Sequence, residues 1–447
     1  MAELKKIKSN YVINRIFSYL NKKQHLDIII YNRELQQIFG LNIKDYKKLS
    51  GKYKICKNGK GNEYTLTNTL IFDGEYLNGK RNGNGKEYND NGILIFEGEY
   101  LNGKRNGKGK EYLIEGDYLN QNKNLKGKVC FFEGEYLNGK RNGKGKEFYS
   151  NGKIKFEGEY LNGNIWNGQG YNINGNQEFE INEGKGHIKE FYDNGTLLFE
   201  GDYLKGKRNG KGKEYYLNGK IKFEGEYSNG KIWTGQGYLN ECKKFEINEG
   251  KGHIMEYQYT DGKLSFEGEY LNGERNGKGK EYQYGYMKFE GEYLNGKRNG
   301  NGKEFYGNGT LLFEGEYLEE KRYGKGKEYT WYSGGSETVF IFEGEYWNGE
   351  RNGKGKEYYD NSKIKFVGEY LNGKIWNGQG YSINGKKIFE INEGKGFVEE
   401  YNYSGDLVFK GEYLNGDRLS GKLFRRDSED NIYEEKFLNE NLNEKKP

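Results

Sequence analysis

The sequence predicts a mainly β protein: an elongated ribbon of consecutive antiparallel β-hairpins in a single-layer, twisted sheet, preceded by a small α-helical segment. The first observation behind this prediction is a unit close to FEGEYLNGKRNGKGKEY, which is complete at Phe96–Tyr112 and recurs along most of the 447 residues. The second is the alternation of side-chain types within each unit, which is typical of strands. The third is the placement of the 71 glycines at fixed positions in the unit. Such a period predicts a stack of similar hairpins without an obvious catalytic pocket.

Each unit contains two predicted strands. In the unit that starts at Phe96, aromatic residues and glycine alternate with glutamates over Phe96–Leu101, which predicts the first strand. A longer turn is predicted over Asn102–Gly107, and a second strand follows over Gly107–Tyr112. Other units close with an Asn-Gly pair such as Asn151–Gly152, for which we predict a tight type I′ turn. One face should therefore carry aromatic rings over glycines, and the other face glutamates opposite lysines.

Anchors of the form Phe-x-Gly-x-Tyr mark the units, and most neighbouring anchors lie about 23–24 residues apart. A variant, FEINEGKG, fills the wider gaps at Phe179, Phe245 and Phe389, which gives about sixteen hairpins. The anchors are Phe72, Phe96, Phe132, Phe156, Phe199, Phe223, Phe266, Phe289, Phe313, Phe342, Phe366 and Phe409, with a weaker copy headed by Ile114.

The chain divides into three predicted segments. Residues 51–424 form the predicted hairpin array. Residues 425–447 lose the repeat, and we predict that they form either a charged cap, as a short helix, or a tail. In residues 1–50 apolar side chains, among them Ile16, Phe17 and Leu20, recur at helical spacing. We predict that these helices either shield the first sheet edge, since an open edge promotes aggregation, or form a partner-binding helix.

Composition argues against catalysis, metal binding and nucleic-acid binding. The net charge of +5 is nearly balanced, and the three cysteines are isolated, which suits a reducing, cytoplasmic location. The start shows no signal peptide and no stretch is long enough to span a membrane. His187 and His253 occupy the same place in two FEINEGKG copies and Phe397 in the third, which predicts a packing position. We therefore predict no enzyme activity and no cofactor.

A Lys-Arg pair recurs in the predicted longer turn and suggests a binding edge. Stacked hairpins would align these arginines along one edge, where guanidinium groups suit bidentate binding of phosphates or carboxylates. The alternative is a solvated turn that only keeps the edge charged. The arginines of this edge are Arg81, Arg105, Arg141, Arg208, Arg275, Arg298, Arg322 and Arg351.

Tryptophan marks a second variation. In three units the Lys-Arg turn becomes a segment one residue longer that ends in Trp166, Trp233 or Trp376, and each precedes a FEINEGKG hairpin. These segments are Asn164–Trp166, Lys231–Trp233 and Lys374–Trp376. Because the two changes always occur together, we favour an indole that packs on the altered hairpin. The alternative is an exposed anchor for a partner protein, since tryptophan is frequent at interface hot spots.

The run from Glu97 to Gly109 resembles the MORN repeat, whose pattern is aromatic-x-Gly-x-aromatic, Asn-Gly and Gly-x-Gly. The closing strand is similar to the bacterial variant of that repeat, and the resemblance covers about 370 residues. It implies a scaffold, an oligomerisation module or a membrane-proximal tether. From it we predict a non-enzymatic scaffold or adaptor that binds proteins, itself included, along an extended sheet.

Two alternatives remain open at this point. The stretch YVINRIFSYLNKKQHLDIII, which holds Ile16, Phe17 and Leu20, is similar to the core of an F-box, with Ser9–Tyr11 in place of the usual Leu-Pro. That resemblance implies a substrate adaptor of a ubiquitin ligase with a Skp1-like partner. The second alternative is a peripheral membrane tether that binds anionic phospholipid through the arginine edge.

Overall fold

The computed structural model describes residues 52–65, 67–112, 130–258, 262–331, 338–426 and 432–439. Within these ranges the chain is a succession of antiparallel β-strands, which confirms the predicted hairpin array. The predicted N-terminal helices and the weak copy at Ile114 lie outside the described residues. No helical segment in these ranges has the length and apolar character that a bilayer crossing requires.

The chain splits into two compact units, and the first holds the described residues up to Lys263 together with Tyr270–Glu274. Its strands are β1 (Lys52–Lys57), β2 (Lys60–Thr65), β3 (Leu70–Leu77), β4 (Lys80–Tyr88), β5 (Leu94–Leu101), β6 (Lys104–Tyr112), β7 (Cys130–Leu137), β8 (Lys140–Phe148), β9 (Ile154–Leu161), β10 (Asn164–Tyr171), β11 (Gln177–Ile181), β12 (Gly186–Phe191), β13 (Leu197–Leu204), β14 (Lys207–Tyr215), β15 (Ile221–Ser228), β16 (Lys231–Leu239), β17 (Cys242–Asn248) and β18 (Lys251–Tyr257). Strands β1 to β11 form one 11-stranded sheet, and β12 to β18 again pair in chain order.

The second unit holds Leu264–Glu269 and the described residues from Arg275 onward. Its strands are β19 (Leu264–Leu271), β20 (Glu274–Gln283), β21 (Tyr286–Leu294), β22 (Lys297–Phe305), β23 (Leu311–Leu318), β24 (Lys321–Trp331), β25 (Thr338–Trp347), β26 (Glu350–Tyr358), β27 (Ile364–Leu371), β28 (Lys374–Tyr381), β29 (Lys387–Ile391), β30 (Gly396–Tyr401), β31 (Leu407–Leu414), β32 (Asp417–Arg426) and β33 (Ile432–Leu438). The last two residues of β19 and the first residue of β20 belong to the first unit. Strands β20 to β29 pair in chain order, and β30 to β33 form a four-stranded sheet.

In the hairpins that carry the Lys-Arg pair after Asn-Gly, such as β5–β6, the tight turn lies at the Asn-Gly pair, so the longer turn predicted there is wrong. Asn102 and Gly103 have φ angles of 52° and 86°, which is the type I′ geometry, and β6 already begins at Lys104. The extra residues form a bulge, because Glu99 alone lies between the pairs Gly98↔Gly109 and Tyr100↔Arg105. The Glu99 carboxylate accepts the Lys108 N–H at 3.1 Å and so satisfies a donor that the bulge takes out of the ladder.

The opposite edge carries the longer loop. Between β8 and β9, the Tyr149 N–H donates to the Lys153 carbonyl and the Gly152 N–H to the Tyr149 carbonyl, both at 2.9 Å. Only Gly152 of the Asn-Gly pair has a positive φ, of 81°, so the type I′ turn predicted here is wrong. The Asn151 side chain instead accepts the Lys153 N–H at 3.0 Å, an Asx turn that stabilises the loop.

The core is a row of aromatic rings along one face, here called the aromatic face. Phe96 is fully buried over the pair Gly98 and Gly109, where a Cβ on Gly109 would lie 2.4 Å from the Phe96 ring. Phe96 makes edge contacts with Tyr100 at 5.6 Å and with Tyr136 of the next hairpin at 5.2 Å. These contacts join one hairpin to the next, and they confirm the predicted rings over glycines.

The other face, here called the glutamate–lysine face, carries glutamates from the first strand of most hairpins and lysines from the second. Examples are the ion pairs Lys110–Glu133 at 3.2 Å and Lys146–Glu157 at 2.7 Å. These side chains are about half exposed, so each pair contributes little to stability and mainly supports register and solubility.

The end of the described chain is a strand. Within the segment predicted as a charged cap or tail, β33 pairs antiparallel with β32 from Ser420↔Leu438 to Arg426↔Ile432. The prediction of a short helix in this segment is therefore wrong over Ile432–Leu438, while residues 440–447 lie outside the described part.

Candidate protein-binding surface

The arginines of the predicted edge lie on the aromatic face. The Arg105 Cζ is 4.1 Å from the centre of the Phe96 ring, so the guanidinium stacks on the core phenylalanine of its own hairpin. Its Nη2 donates to Glu87 Oε2 at 2.9 Å and its Nη1 to Glu111 Oε1 at 3.1 Å. One guanidinium thus bridges a carboxylate of the preceding hairpin and one of its own strand.

The arrangement repeats to form a ladder. Glu111 also accepts a hydrogen bond from Arg141, which in turn pairs with Glu147, so carboxylates and guanidinium groups alternate along the sheet. In all eight predicted arginines the Cζ lies 3.9–4.2 Å from the ring of a core phenylalanine. Their side chains are only 12–26% exposed. Structurally, these arginines connect hairpins.

Charges of the ladder shift the pKa values of its members. Burial alone would raise the pKa of Glu87, but Arg105 and then Arg81 outweigh burial and hold it below its usual range. The pKa values of Glu190 and Glu281 are lowered in the same way, against burial, by Arg208 and Arg298. These glutamates are therefore carboxylates at neutral pH, as the ladder requires.

A tyrosine hydroxyl joins the ladder at several steps. The Tyr100 hydroxyl donates to Glu87 Oε2 at 3.0 Å, and burial followed by the Glu87 charge raises the pKa of Tyr100. The equivalent Tyr203 donates to Glu190. These glutamates were not predicted as partners of the arginines and tyrosines, because each glutamate lies in the preceding hairpin.

The tryptophan units interrupt the ladder. Ile165 stands at the arginine position, and Gly170 pairs with Phe156 as Glu111 pairs with Phe96 elsewhere. The Phe179 ring covers Gly170 and stacks on Phe156 with ring centres 6.2 Å apart and planes at 19°. An aromatic stack therefore replaces the guanidinium and its carboxylate together.

The three tryptophans pack on the turn of the altered hairpin. The Trp166 carbonyl accepts the Gly184 N–H at 2.7 Å, and a Cβ on Gly184 would lie 2.8 Å from the Trp166 ring. Trp233 and Trp376 make the same contacts with Gly250 and Gly394. Trp376 is only 5% exposed. The structure thus gives these side chains packing contacts, and a role as partner anchors stays a prediction.

The histidine position of the altered hairpins is solvent-exposed. The His187 side chain is 60% exposed and its Nδ1 lies 2.9 Å from Asp202 Oδ1, while Phe397 at the same place is 56% exposed. The predicted packing role for this position is therefore wrong. Within the described ranges, His, Cys, Asp and Glu form no group suited to hold a metal ion.

The glutamate–lysine face forms an open groove in each unit. In the second unit the groove has a volume of about 1080 Å³; the backbone of paired glycines such as Gly315 and Gly326 forms its floor. Lys325 and Glu343 stand among its walls. In the first unit a similar groove of about 880 Å³ runs over the pair Gly98 and Gly109. Neither groove was predicted, because sequence alternation assigns side chains to faces but not the curvature of a face.

Comparison with known proteins identifies the repeat. The MORN repeat model matches residues 72–93, 96–118, 132–154, 266–283, 289–311 and 342–363. The MORN repeat variant matches residues 185–205 and 208–229. Among curated proteins no relative matches the sequence. A solved structure of TcdB2-TccC3 is similar over 85% of this chain and 20% of its own length, with 10% identity and a TM-score of 0.13, which is too low to support an argument.

Proposed function

Because the chain is a MORN-repeat protein with both MORN and variant MORN repeats, we propose that it is a non-enzymatic scaffold or adaptor that binds proteins along its glutamate–lysine face. The observation that carries this proposal is the pair of open grooves over the glycine floors, about 1080 and 880 Å³ in volume. Each spans several consecutive hairpins, as an elongated protein segment requires.

The chemistry of the groove walls favours a protein ligand. Glutamates and lysines alternate there, so the groove offers both signs of charge at close spacing. A polypeptide with mixed charges complements such a surface, whereas a uniformly anionic polymer would meet the carboxylates. The glycine floor leaves room for the side chains of the ligand, since nothing projects from it beyond the backbone.

The other predicted partners have no structural observation in their favour. The arginines proposed for anionic lipid already bind carboxylates and stack on phenylalanines. The segment proposed for a Skp1-like protein, residues 1–50, lies outside the described part. Both partners, self-association and a cytoplasmic location stay predictions.

Affinity capture from the source cells with quantitative mass spectrometry tests the proposal. The groove variant combines Lys325→Gln, Lys327→Gln and Lys354→Gln, all in the walls of the larger groove. The control combines Lys153→Gln, Lys220→Gln and Lys363→Gln and loses the same charge. These three lysines are exposed and lie in the longer loops, at the edge opposite the two-residue turns. We expect the groove variant to lose partners that the wild type and the control retain. Equal capture by all three proteins would contradict binding at this groove.

A further inference from the structure

A row of exposed leucines runs along one edge of the first sheet. Leu77, Leu101, Leu137 and Leu161 end strands β3, β5, β7 and β9, immediately before the Asn-Gly turns. They are 59%, 50%, 50% and 39% exposed, although leucine is usually buried. None of them belongs to the core, which the phenylalanines and tyrosines of the other face provide. Four aligned apolar side chains of this kind indicate an interaction surface.

Lysines alternate with these leucines. The strand register places Lys80 opposite Leu77, Lys104 opposite Leu101 and Lys140 opposite Leu137. All three lysines are exposed. Residues paired across two strands share a face, so the side chains form one line, here called the leucine–lysine edge.

The spacing of this edge is fixed by stacked turns. The Gly103 N–H donates to the Arg81 carbonyl, the Gly139 N–H to the Arg105 carbonyl and the Gly163 N–H to the Arg141 carbonyl, each at 2.8 Å. These bonds hold each turn on the preceding hairpin. Successive leucines are two strands apart, which is about 9.6 Å, so the four span about 29 Å.

That spacing matches an α-helix. Residues seven positions apart in a helix are separated by about 10.5 Å along the axis, and four of them span about 31 Å. Positions i+3 and i+4 lie on the same side and fall about half-way between, where the lysines of the edge stand. A helix with an apolar residue at every seventh position and an acidic residue three or four positions later would therefore place each side chain on its complement.

We propose that the leucine–lysine edge binds an amphipathic α-helix of a partner protein with this pattern, lying across the strands of the first sheet. The proposal rests on the proposed scaffold function and specifies one class of partner for it. A second copy of the edge is disfavoured, because lysine would face lysine. A broad anionic membrane is disfavoured because Glu75, Glu99 and Glu135, two residues before three of the leucines, share their face.

The test uses the full chain and a labelled synthetic peptide of four heptads in which leucine recurs at every seventh position, each followed by glutamate at the third. The control peptide has the same composition, with leucine at every fifth position, so that successive leucines are rotated by about 140° around the helix and lie about 7.5 Å apart along it. We expect the first peptide to bind at least about tenfold more tightly by fluorescence anisotropy, since several apolar contacts and ion pairs depend on the spacing. Equal binding of both peptides would overturn the proposal.

Variants that the chain itself tolerates locate the binding. Leu77→Ser, Leu101→Ser, Leu137→Ser and Leu161→Ser together copy Ser228, which occupies the leucine position of another hairpin. Lys80→Glu, Lys104→Glu and Lys140→Glu copy Glu274 and Glu350 at the lysine position. Both sets should weaken peptide binding at least about tenfold, whereas methionine at the four leucines should keep it. Unchanged binding in the serine variant would place the peptide elsewhere and overturn the proposal.

Two further arms separate the alternatives. Cosedimentation with phosphatidylserine vesicles should not depend on the four leucines. If the wild type bound vesicles but not the peptide, and the serine variant lost vesicle binding, the edge would be assigned to a membrane instead. The groove variant Lys325→Gln, Lys327→Gln, Lys354→Gln should bind the peptide normally, because its substitutions lie in the second unit. If the peptide failed to bind but this groove variant lost partner capture, the proposed scaffold function would still be supported. Only the proposal of helix binding at the leucine–lysine edge would then be overturned.

Discussion

The Arg351 guanidinium lies with its Cζ 3.9 Å from the centre of the Phe342 ring. The same group donates hydrogen bonds to Glu328 and Glu357. Three consecutive strands, β24 to β26, are thus joined by one side chain. A single-layer sheet has no second layer to bury its aromatic row, and the stacked guanidinium covers part of that row while its charge is neutralised by carboxylates.

Removing one arginine should weaken the array. Arg105→Ala leaves Glu87 and Glu111 without a guanidinium and uncovers the Phe96 ring, so we expect the free energy of unfolding to fall by about 2 kcal/mol. Lys104→Ala, at the exposed neighbouring position, should change it by less than about 0.5 kcal/mol. Urea unfolding followed by circular dichroism measures both, and equal stability of the two variants would contradict the bridging role.

The paired glycines should tolerate no side chain. In Gly109→Ala the new Cβ would lie 2.4 Å from the Phe96 ring, which cannot move in the packed row, so we expect a loss of about 2 kcal/mol. Gly307 has no atom within 4 Å of the position of a Cβ and no positive φ, so Gly307→Ala should be neutral or slightly stabilising. Thermal unfolding compares the two. A stable Gly109→Ala variant would show that the ring does not require the glycine.

Trp376 should matter for stability. Trp376→Ala removes a 95% buried side chain from the Gly394 turn, and we expect it to cost about 3 kcal/mol or more. Trp347→Leu is the control, because leucine occupies that position in most other repeats. Urea unfolding gives the stability, and affinity capture gives partner binding. Normal stability with lost capture would instead make Trp376 a partner anchor.

Acid should destabilise the protein through the ladder. The pKa values of Glu87, Glu190 and Glu281 are lower in the folded chain than the ordinary value of 4.5. Protonation therefore favours the unfolded state: the stabilisation is complete above about pH 4.5 and is lost as the pH falls through the folded pKa. Unfolding midpoints measured between neutral and acidic pH should show this loss.

The acid effect has an internal control. In Arg105→Ala the group that most lowers the pKa of Glu87 is absent, so stability should fall less steeply between neutral and acidic pH than in the wild type. Identical pH profiles for the two proteins would show that the acid sensitivity does not arise from the ladder.

Periodicity and alternation were enough to predict the hairpins, the buried phenylalanines and the two faces. They could not assign the turns, because Asn-Gly occurs at both edges of a unit, as at Asn102–Gly103 and Asn151–Gly152. Which pair forms the two-residue turn depends on the bulge opposite Glu99, and that is a property of the paired strands.

The ladder needed the fold because Arg105 and Glu87 are 18 residues apart and belong to different hairpins. A signal was nevertheless present in the repeats. In the tryptophan units isoleucine replaces the arginine, as at Ile165. In the same units glycine replaces the glutamate that pairs with the core phenylalanine elsewhere, as Gly170 pairs with Phe156 where Glu111 pairs with Phe96. Joint loss of the two residues in three units indicates that they act together.

The most direct test of protein binding at the glutamate–lysine face is site-specific photo-crosslinking with the full chain in an extract of the source cells. A photoreactive residue at Lys325 reports on the groove, and one at Lys363, in the loop at the opposite edge, serves as the control. We predict discrete crosslinked proteins from position 325 that excess unlabelled chain displaces, and none from position 363. Crosslinks from position 363 alone, or none from position 325, would contradict the proposed function.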